Sequence, residues 1–427
     1  MNGFKYIFFF IFPFIFISCQ AQEKVMTRSE RIQIFEHVWN TVNEHFYDPN
    51  FNGIDWNKKH DEYKTKIENC NSTDDFFSLL NKMLFELNSS HCGVGLLSEL
   101  SQAVSPYIFS NGEIGIDIRI IDNQIVITKV LKYSPADNAN IKKGYIIEKI
   151  DDLTIKDFEN LTKYKPPFND RNKKFHLISE ILRHIYGQPG TKVKIDFLDE
   201  NNKYHTKTLT RKERLNGILL GGGMPPAYLK SESYFITKNI GYLFFNAFNP
   251  PDLEHVLHNL EKVINTKGLI IDLRGNDGGS IEAMKLLLGR FVTKRIKYGT
   301  YINRNERNED FIEPTGNKYQ GQVVILVDEM SVSGAENMAG IIQYFKIGKV
   351  IGNQTPGQML WGNGYLINDR IALVIPIYKF EYPNGFNPEN NGITPDIEIE
   401  LKREDLLEGR DTQLEKAIEY LNKNIIR

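Results

Sequence analysis

The sequence predicts a multidomain protein of the α+β and α/β classes, because its hydrophobic periodicity changes twice along the chain. Apolar residues recur at helical spacing up to about Leu97, and period-two alternation replaces them beyond Gly112. From about Gly241 onward, short apolar runs alternate with helical patterns, which is typical of an α/β domain with a largely parallel sheet. A chain of 427 residues also exceeds one ordinary core, so two or three domains are expected.

The composition is that of an ordinary globular protein, with 41% hydrophobic and 25% charged residues. The formal net charge is −2, and no block of basic residues is interleaved with aromatic residues. A nucleic-acid partner is therefore not expected.

The N-terminus carries an apolar run, Tyr6–Ile17, of signal-peptide length and too short for an easy membrane span. The run ends in Ser18-Cys19 and resembles the lipobox of bacterial lipoproteins, although Phe16 replaces the usual leucine. The resemblance implies that residues 1–18 are a signal peptide and that Cys19 is acylated. The protein is then expected to be exported and lipid-anchored in the bacterial cell envelope. No later run is apolar enough for a transmembrane helix, so this anchor is the expected membrane contact.

Residues 19–105 are predicted to form an α-helical region. One apolar helical face runs from Ile32 to Phe46, and a second helix contains Tyr63 and Ile67. A third helix begins after the capping residues at 72–75 and ends at the polar loop 88–93, which contains Ser90-His91.

Residues 106–212 are predicted to form a β domain that resembles a PDZ domain. The resemblance lies in residues 134–151, where Asn140 and Tyr145 stand in place of the usual glycine and aspartate. It implies that Gly115 and Ile116 belong to a loop that binds the carboxylate of an extended peptide by strand addition. The predicted strands are 115–121, 124–130, 192–198 and 204–210, with a helical insertion at 175–185.

Residues 213–239 are predicted to be a linker, because Gly221-Gly222-Gly223 lies within a stretch that has no clear periodicity. Residues 240–427 are predicted to form the α/β core. Its predicted strands are 241–245, 268–273, 323–327 and 350–351, and its predicted helices are 252–264, 281–291 and 335–345.

Within this core, small residues occupy the turn between the strand at 323–327 and the following helix. Ser331 and Ser333 both lie there. A hydroxyl at a strand-to-helix turn is either a helix N-cap or a nucleophile, and the first helical amides can stabilise an oxyanion. The turn alone leaves these two interpretations open.

Four separated patches together resemble the tail-specific and tricorn-like serine peptidase family, which joins a PDZ domain to a ClpP/crotonase-like core. They are Asn88-Ser89-Ser90-His91, the D-L-R-x-N-x-G-G pattern at 272–279, Ser331–Glu336, and the E-x-x-G-I-x-P-D pattern at 389–396. All four occur in the family order, with the PDZ-like segment between the first two. The resemblance covers residues 38–398 and implies a cofactor-free hydrolysis of polypeptides.

The family has a serine–lysine branch and a tricorn-like serine–histidine branch. At the expected lysine position the sequence has Gln358, which cannot act as a base. The resemblance to the tricorn-like branch instead implies that Ser333 is the nucleophile, His91 the general base and Glu389 the residue that orients it.

Ser90 belongs, by resemblance, to the hydrogen-bonded relay around His91. The resemblance also implies that the oxyanion hole combines the amide of Gly334 with a glycine amide of the 272–279 patch. The choice between Gly278 and Gly279 stays open at this stage.

The remaining candidate residues give weaker patterns. Cys92 could act as a nucleophile only with a base, and the sequence does not supply one. His255 and His258 are one helical turn apart, but no third metal ligand accompanies them, so no metal site is expected. Asp272 and Arg274 are expected to brace the end of a strand. The glycines at 275–279 do not match a phosphate-binding loop.

Two non-enzymatic functions also remain. The retinoid carriers of the interphotoreceptor matrix share this core, so a non-catalytic ligand- or peptide-binding protein is the alternative hypothesis. A second possibility is an interaction module in which the PDZ-like unit alone is used. The sequence leaves the oligomeric state open.

Overall fold

The computed structural model describes residues 26–97, 105–162, 170–218 and 226–425. Cys19, the apolar N-terminal run and Gly221–Gly223 lie outside these ranges. The expected multidomain architecture of α+β and α/β parts is confirmed. Within the described ranges, no helix has both the length and the apolar composition needed to cross a bilayer.

Three helices open the described chain: α1 (Arg28–His45), α2 (Trp56–Glu68) and α3 (Thr73–Phe85). A capping box starts α1, in which Thr27 Oγ1 accepts from the Glu30 amide and Glu30 accepts from the Thr27 amide. The apolar stripes of the three helices, including Phe35, Val38, Leu80 and Met83, are fully buried. A short 3₁₀ turn, Phe51–Gly53, connects the first two helices.

The β domain is a five-stranded antiparallel sheet with short helices around it. The strands and helices of this part are α4 (Pro106–Phe109), β2 (Gly112–Glu113), β3 (Ile116–Ile121), β4 (Gln124–Val130), α5 (Pro135–Asn138), β5 (Ile146–Ile150), α6 (Ile155–Thr162), α7 (Asp170–Ile185), β6 (Lys192–Leu198), β7 (Tyr204–Thr210) and β8 (Lys212–Glu213). The strand order in the sheet is β3-β4-β5-β6-β7, and the edge strand β3 pairs only with β4 among the described strands.

The α/β core contains a six-stranded sheet in the order β18-β15-β14-β11-β10-β9. Every neighbouring pair is parallel except β9 with β10. Its elements are β9 (Ser231–Thr237), β10 (Ile240–Phe245), α8 (Pro250–Val263), β11 (Gly268–Asp272), α9 (Ile281–Leu288), β14 (Gln322–Val327), α10 (Gly334–Tyr344), β15 (Gly348–Gly352), β18 (Ile397–Glu398), α11 (Arg403–Leu407) and α12 (Thr412–Ile425).

The central strand β14 is buried on both faces, as its uninterrupted β-branched and aliphatic run predicts. Val323 and Ile325 contact one hydrophobic cluster with α8, α9 and α10, whereas Val324 and Leu326 contact a second cluster with α12. The strand β9 lies where the sequence indicated a linker. It is an exposed edge strand with a weak hydrophobic pattern, which explains the difference.

A second sheet was not predicted from the sequence. Its strands are β1 (Gly93–Leu96), β12 (Ile296–Ile302), β13 (Arg307–Ile312), β16 (Trp361–Leu366) and β17 (Ile371–Glu381). The strand β1, which follows His91 closely, pairs antiparallel with β17 between Gly93↔Val374 and Leu96↔Ile371. The sheet therefore fixes the end of the N-terminal region against the core.

Candidate active site

The chain leaves β14 at Val327 and enters α10 at Gly334, with Ser333 at the N-cap position. Ser333 has φ 55° and ψ −113°, a backbone conformation that L-residues rarely adopt. Such conformations persist where the surrounding structure imposes them, and they are concentrated at functional sites.

A buried carboxylate, Glu336, holds this turn from within the core. Its oxygens accept hydrogen bonds from the Ser333 amide at 3.1 Å and from the Gln358 amide at 2.8 Å. Thr355 Oγ1 and the Gly357 amide donate to the same carboxylate at 2.5 and 2.7 Å. Burial raises the pKa of Glu336 to about 7, although these donors favour its ionised form. The sequence had not indicated this role.

Ser331, the competing serine, is fully buried and has other partners. Its hydroxyl donates to the Leu273 carbonyl at 2.7 Å and accepts from the Asp328 amide at 2.9 Å. Ser331 therefore braces the turn, and the N-cap position belongs to Ser333.

Three glycines lie close to Ser333: Gly334, which follows it in the chain, and Gly278 and Gly279, which belong to the turn after β11. The Gly278 amide donates to Asn276 Oδ1 at 2.9 Å, so its proton is already engaged. The amides of Gly279 and Gly334 have no acceptor among the described residues. A Cβ on Gly278 would lie 2.6 Å from the Gly334 nitrogen, which shows how closely the two turns approach. The geometry therefore favours Gly279 over Gly278 as the second amide donor.

Ser90, His91 and Glu389 lie together, although 299 residues separate Ser90 from Glu389. The Ser90 amide donates to Glu389 Oε1 at 2.9 Å, and Ser90 Oγ donates to Glu389 Oε2 at 3.0 Å. Ser90 Oγ is also 2.8 Å from His91 Nδ1. Glu389 thus reaches the imidazole through the hydroxyl of Ser90, the residue that the resemblance assigned to a relay around His91.

The direction of these bonds fixes the imidazole tautomer when Glu389 is ionised. A carboxylate only accepts, so the Ser90 hydroxyl proton points to Glu389 and its oxygen accepts from His91 Nδ1–H. His91 Nε2 is then unprotonated and available as a base. In this structure no hydrogen bond joins His91 to Ser333. Such contacts often tighten only when substrate binds.

Burial shifts the pKa values of His91 and Glu389 in opposite directions. It lowers the pKa of His91 to about 4 and raises the pKa of Glu389 to about 7. Hydrogen bonds from Ser90 and from the Met359 amide, at 2.8 Å, oppose the shift of Glu389. His91 is therefore held neutral near neutral pH, which is the form that accepts a proton.

Cys92 follows His91, and burial raises its pKa well above the ordinary range of a thiol. The neutral thiol is a poor nucleophile, so the structure gives no support to Cys92 as the reactive group.

At the lysine position of the other branch, Gln358 is buried and its side-chain amide donates to Asn172 Oδ1. Asn172 belongs to α7 of the β domain and donates to the Pro356 carbonyl at 2.9 Å. This position therefore serves a contact between domains.

Gly115 and Ile116 do not join the Ser333 site. They lie at the start of β3, where a Cβ on Gly115 (φ 82°) would be 2.2 Å from Ser134 Cβ. The same strand nevertheless contacts the core, because Arg119 Nε donates to Asp328 Oδ2 at 2.7 Å, just after β14.

Asp272 and Arg274 form a buried ion pair at the end of β11, with Nη2 and Oδ2 2.6 Å apart. His255 pairs with Asp252 on an exposed helix face. Across the described residues, no cluster of three or more histidine, cysteine or acidic side chains is arranged to bind a metal ion.

The sequence is similar to known peptidases in two segments. Residues 239–399 match peptidase family S41, and residues 27–85 match the tricorn protease C1 domain. The tricorn protease of Thermoplasma acidophilum is 23% identical over 92% of this chain and 35% of its own length. The carboxy-terminal processing protease CtpB of Bacillus subtilis is 25% identical over 76% of this chain and 65% of its own.

Among solved structures, mature CPAF complexed with lactacystin has a TM-score of 0.64 at 12% identity. The alignment covers 93% of this chain and 98% of CPAF, so the likeness extends over the whole fold. The chain spans only about a third of the tricorn relative and about two thirds of CtpB. The two matched segments contain the helical region before Ser90-His91 and the core with Ser333 and Glu389, so the chain is similar to the tricorn protease C1 domain in the first segment and to peptidase family S41 in the second.

Proposed function

We propose that this protein is a serine endopeptidase in which Ser333 is the nucleophile and His91 the general base. The observation that carries the proposal is the chain of hydrogen bonds from Glu389 through Ser90 to His91. It supports a catalytic role because it leaves Nε2 of a neutral imidazole free to accept a proton. A binding protein has no need of a buried carboxylate arranged in this way.

In the first step, Ser333 Oγ attacks the peptide carbonyl while His91 Nε2 takes the hydroxyl proton. The amides of Gly279 and Gly334 stabilise the oxyanion that forms. Glu389 stabilises the imidazolium through Ser90. His91 then returns the proton to the leaving amine, and the acyl-enzyme remains on Ser333.

In the second step, water attacks the acyl-enzyme and gives a proton to His91. Collapse of the tetrahedral intermediate releases the carboxylic acid, and the proton returns to Ser333 Oγ. The reaction consumes one water molecule and needs no cofactor.

Replacing Gly279 by alanine is expected to lower kcat by about 10²–10³-fold, because it displaces one oxyanion donor. Gly279 has φ 129°, and an added Cβ would lie 2.2 Å from the Phe248 carbonyl oxygen, so the turn must shift. Gly409→Ala is the matched control, since Gly409 has φ 79° but open space around it. Equal losses of kcat in the two variants would contradict the assignment of this amide.

We further propose that the β domain is a PDZ-like module that engages extended polypeptides near Gly115 and Ile116. Among the strands that the structure describes, β3 pairs only with β4, and its other edge supports strand addition there. The name of the B. subtilis relative, a carboxy-terminal processing protease, is consistent with a substrate presented by its terminus.

The proposed location is the cell envelope, with Cys19 as the lipid-bearing residue. This part rests on the apolar run and on the lipobox-like Ser18-Cys19 in the sequence. Metabolic labelling with a palmitate analogue tests it: label is expected on the full-length protein and absent from Cys19→Ala.

The experiment for the activity is digestion of an unfolded protein such as reduced, alkylated casein, followed by mass spectrometry. New peptide termini are expected, and pretreatment with a fluorophosphonate should abolish them whereas a metal chelator should not. Cleavage that survives the fluorophosphonate but stops with the chelator would refute a serine mechanism.

A further inference from the structure

The turn between α1 and α2 contacts the segment that contains His91. Asp48 organises this turn, since its carboxylate accepts from the amides of Asn50 and Asn52 at 3.0 and 2.8 Å. Asn52 has φ 54°, a conformation that asparagine tolerates better than most residues. Its side chain is thereby directed away from the turn towards residues 87–89.

All the hydrogen-bonding groups of the Asn52 side-chain amide have partners. Nδ2 donates to the Leu87 carbonyl and to Ser89 Oγ, both at 2.8 Å. Oδ1 accepts from the Tyr47 hydroxyl at 2.8 Å. An aspartate would have the same shape but no donor, so it would face the Leu87 carbonyl with another acceptor.

The loop that receives these bonds is strained. Asn88 has φ 46° and His91 has φ 56°, both in the left-handed region that favours glycine. On one side Glu389 holds the amide and hydroxyl of Ser90. On the other side Asn52 holds Leu87 and Ser89, so the loop is fixed from both sides.

We propose that Asn52 is a positioning residue for His91, acting through Leu87 and Ser89 to hold the strained loop in its catalytic conformation. The relevance of Asn52 to catalysis rests on the proposed function. Its effect on the position of the His91 imidazole does not depend on that proposal. Without the amide, the loop can relax towards ordinary backbone angles, and His91 then leaves its partly buried place beside Gly362. A Cβ built on Gly362 lies 3.1 Å from His91 Cβ, which shows how close the two residues are.

The direct test is an NMR titration of protein labelled with ¹⁵N-histidine, in which His91→Ala assigns the signal. In the wild type, His91 is expected to stay neutral down to about pH 5, since burial lowers its pKa to about 4. In Asn52→Gly, which preserves the backbone conformation, the midpoint is expected to rise by at least about one pH unit towards the ordinary value. Asn69→Gly is the control, because Asn69 bonds only its own helix at Thr65.

Kinetics provide the second readout. Asn52→Gly and Asn52→Asp are expected to lower kcat by about tenfold to a hundredfold with KM unchanged. In a His91→Ala background, Asn52→Gly should cause no further loss, since there is no base left to position. Tyr47→Phe removes only the hydroxyl that is bonded to Asn52. It should raise the titration midpoint of His91 and lower kcat, each by less than Asn52→Gly does. This variant replaces Asn52→Gly in the test if Asn52→Gly fails to fold.

Unchanged titration of His91 in folded Asn52→Gly would overturn the proposal, as would an equal further loss of kcat in the His91→Ala background. A wild type that lacks peptidase activity would refute the proposed function alone, because the titration still reports whether Asn52 positions the imidazole.

Discussion

Replacing His91 by alanine is expected to lower kcat for peptide hydrolysis by about 10⁶-fold, as much as Ser333→Ala, with little change in KM. The two residues act as one unit, because the serine hydroxyl is a weak nucleophile until a base takes its proton. The position of the lysine base in the other branch is occupied by Gln358, which has no titratable amine and donates to Asn172.

Steady-state kinetics of the single and double variants check this expectation. The double variant should be no slower than either single variant. His255→Ala is the control, because that histidine lies on an exposed helix face and pairs with Asp252. Retention of most of the rate in His91→Ala would show that another group activates Ser333.

Replacing Glu389 by glutamine is expected to lower kcat by about 10⁴-fold. The neutral amide removes the charge that stabilises the imidazolium. The glutamine amide can donate to Ser90 Oγ, so the Ser90 hydroxyl can turn its proton towards His91 Nδ1. His91 can then carry its proton on Nε2, which is the tautomer that cannot act as the base. The loss should lie in kcat, since the carboxylate is buried and bonded to Ser90.

The same carboxylate predicts the pH dependence. Burial raises the pKa of Glu389 to about 7, so the ionised form is lost as the pH falls through that value. Wild-type kcat/KM should therefore decrease below about pH 7, well above the pKa of His91 at about 4. The acid limb near pH 7 should be absent from the residual activity of Glu389→Gln. An unchanged limb in that variant would assign it to another group, such as Glu336.

Local sequence patterns were sufficient for the elements around Ser333. The continuous apolar run of β14 and the helical spacing of α10 predicted both elements within one residue at their ends. The period-two strands β4, β6 and β7 of the β domain were also predicted with the bounds that the structure has. The elements β14, α10, β4 and β6 have strong patterns because each has one or two buried faces, whereas β7 is mostly exposed.

The parts that the sequence did not predict depend on contacts between distant segments. The strands β12 and β16 contain glycine and β13 is mostly polar, so their hydrophobic alternation is weak. Glu336 resembles an ordinary acidic residue in the first turn of a helix until the loop 355–358 places three donors against it. Asn52 reads as a turn residue until residues 87–89 lie against it.

The choice between Gly278 and Gly279 illustrates the same limit. Both residues are glycines in one turn, and their order in the sequence carries no information about which amide is free. The difference arises because Asn276, two residues earlier, accepts from the Gly278 amide. A resemblance can point to the turn, but only the hydrogen bond of the Gly278 amide makes Gly279 the better candidate for the donor.

The central claim is that Ser333 is activated by a histidine from the N-terminal helical region. The rate of its covalent modification by a fluorophosphonate, followed by intact mass and peptide mapping, tests this most directly. We expect a single adduct on Ser333 in the wild type, none on Ser333→Ala, and a rate at least about 10³-fold lower in His91→Ala. Modification of Ser333 in His91→Ala at the wild-type rate, or an adduct on Ser331 in place of Ser333, would contradict it.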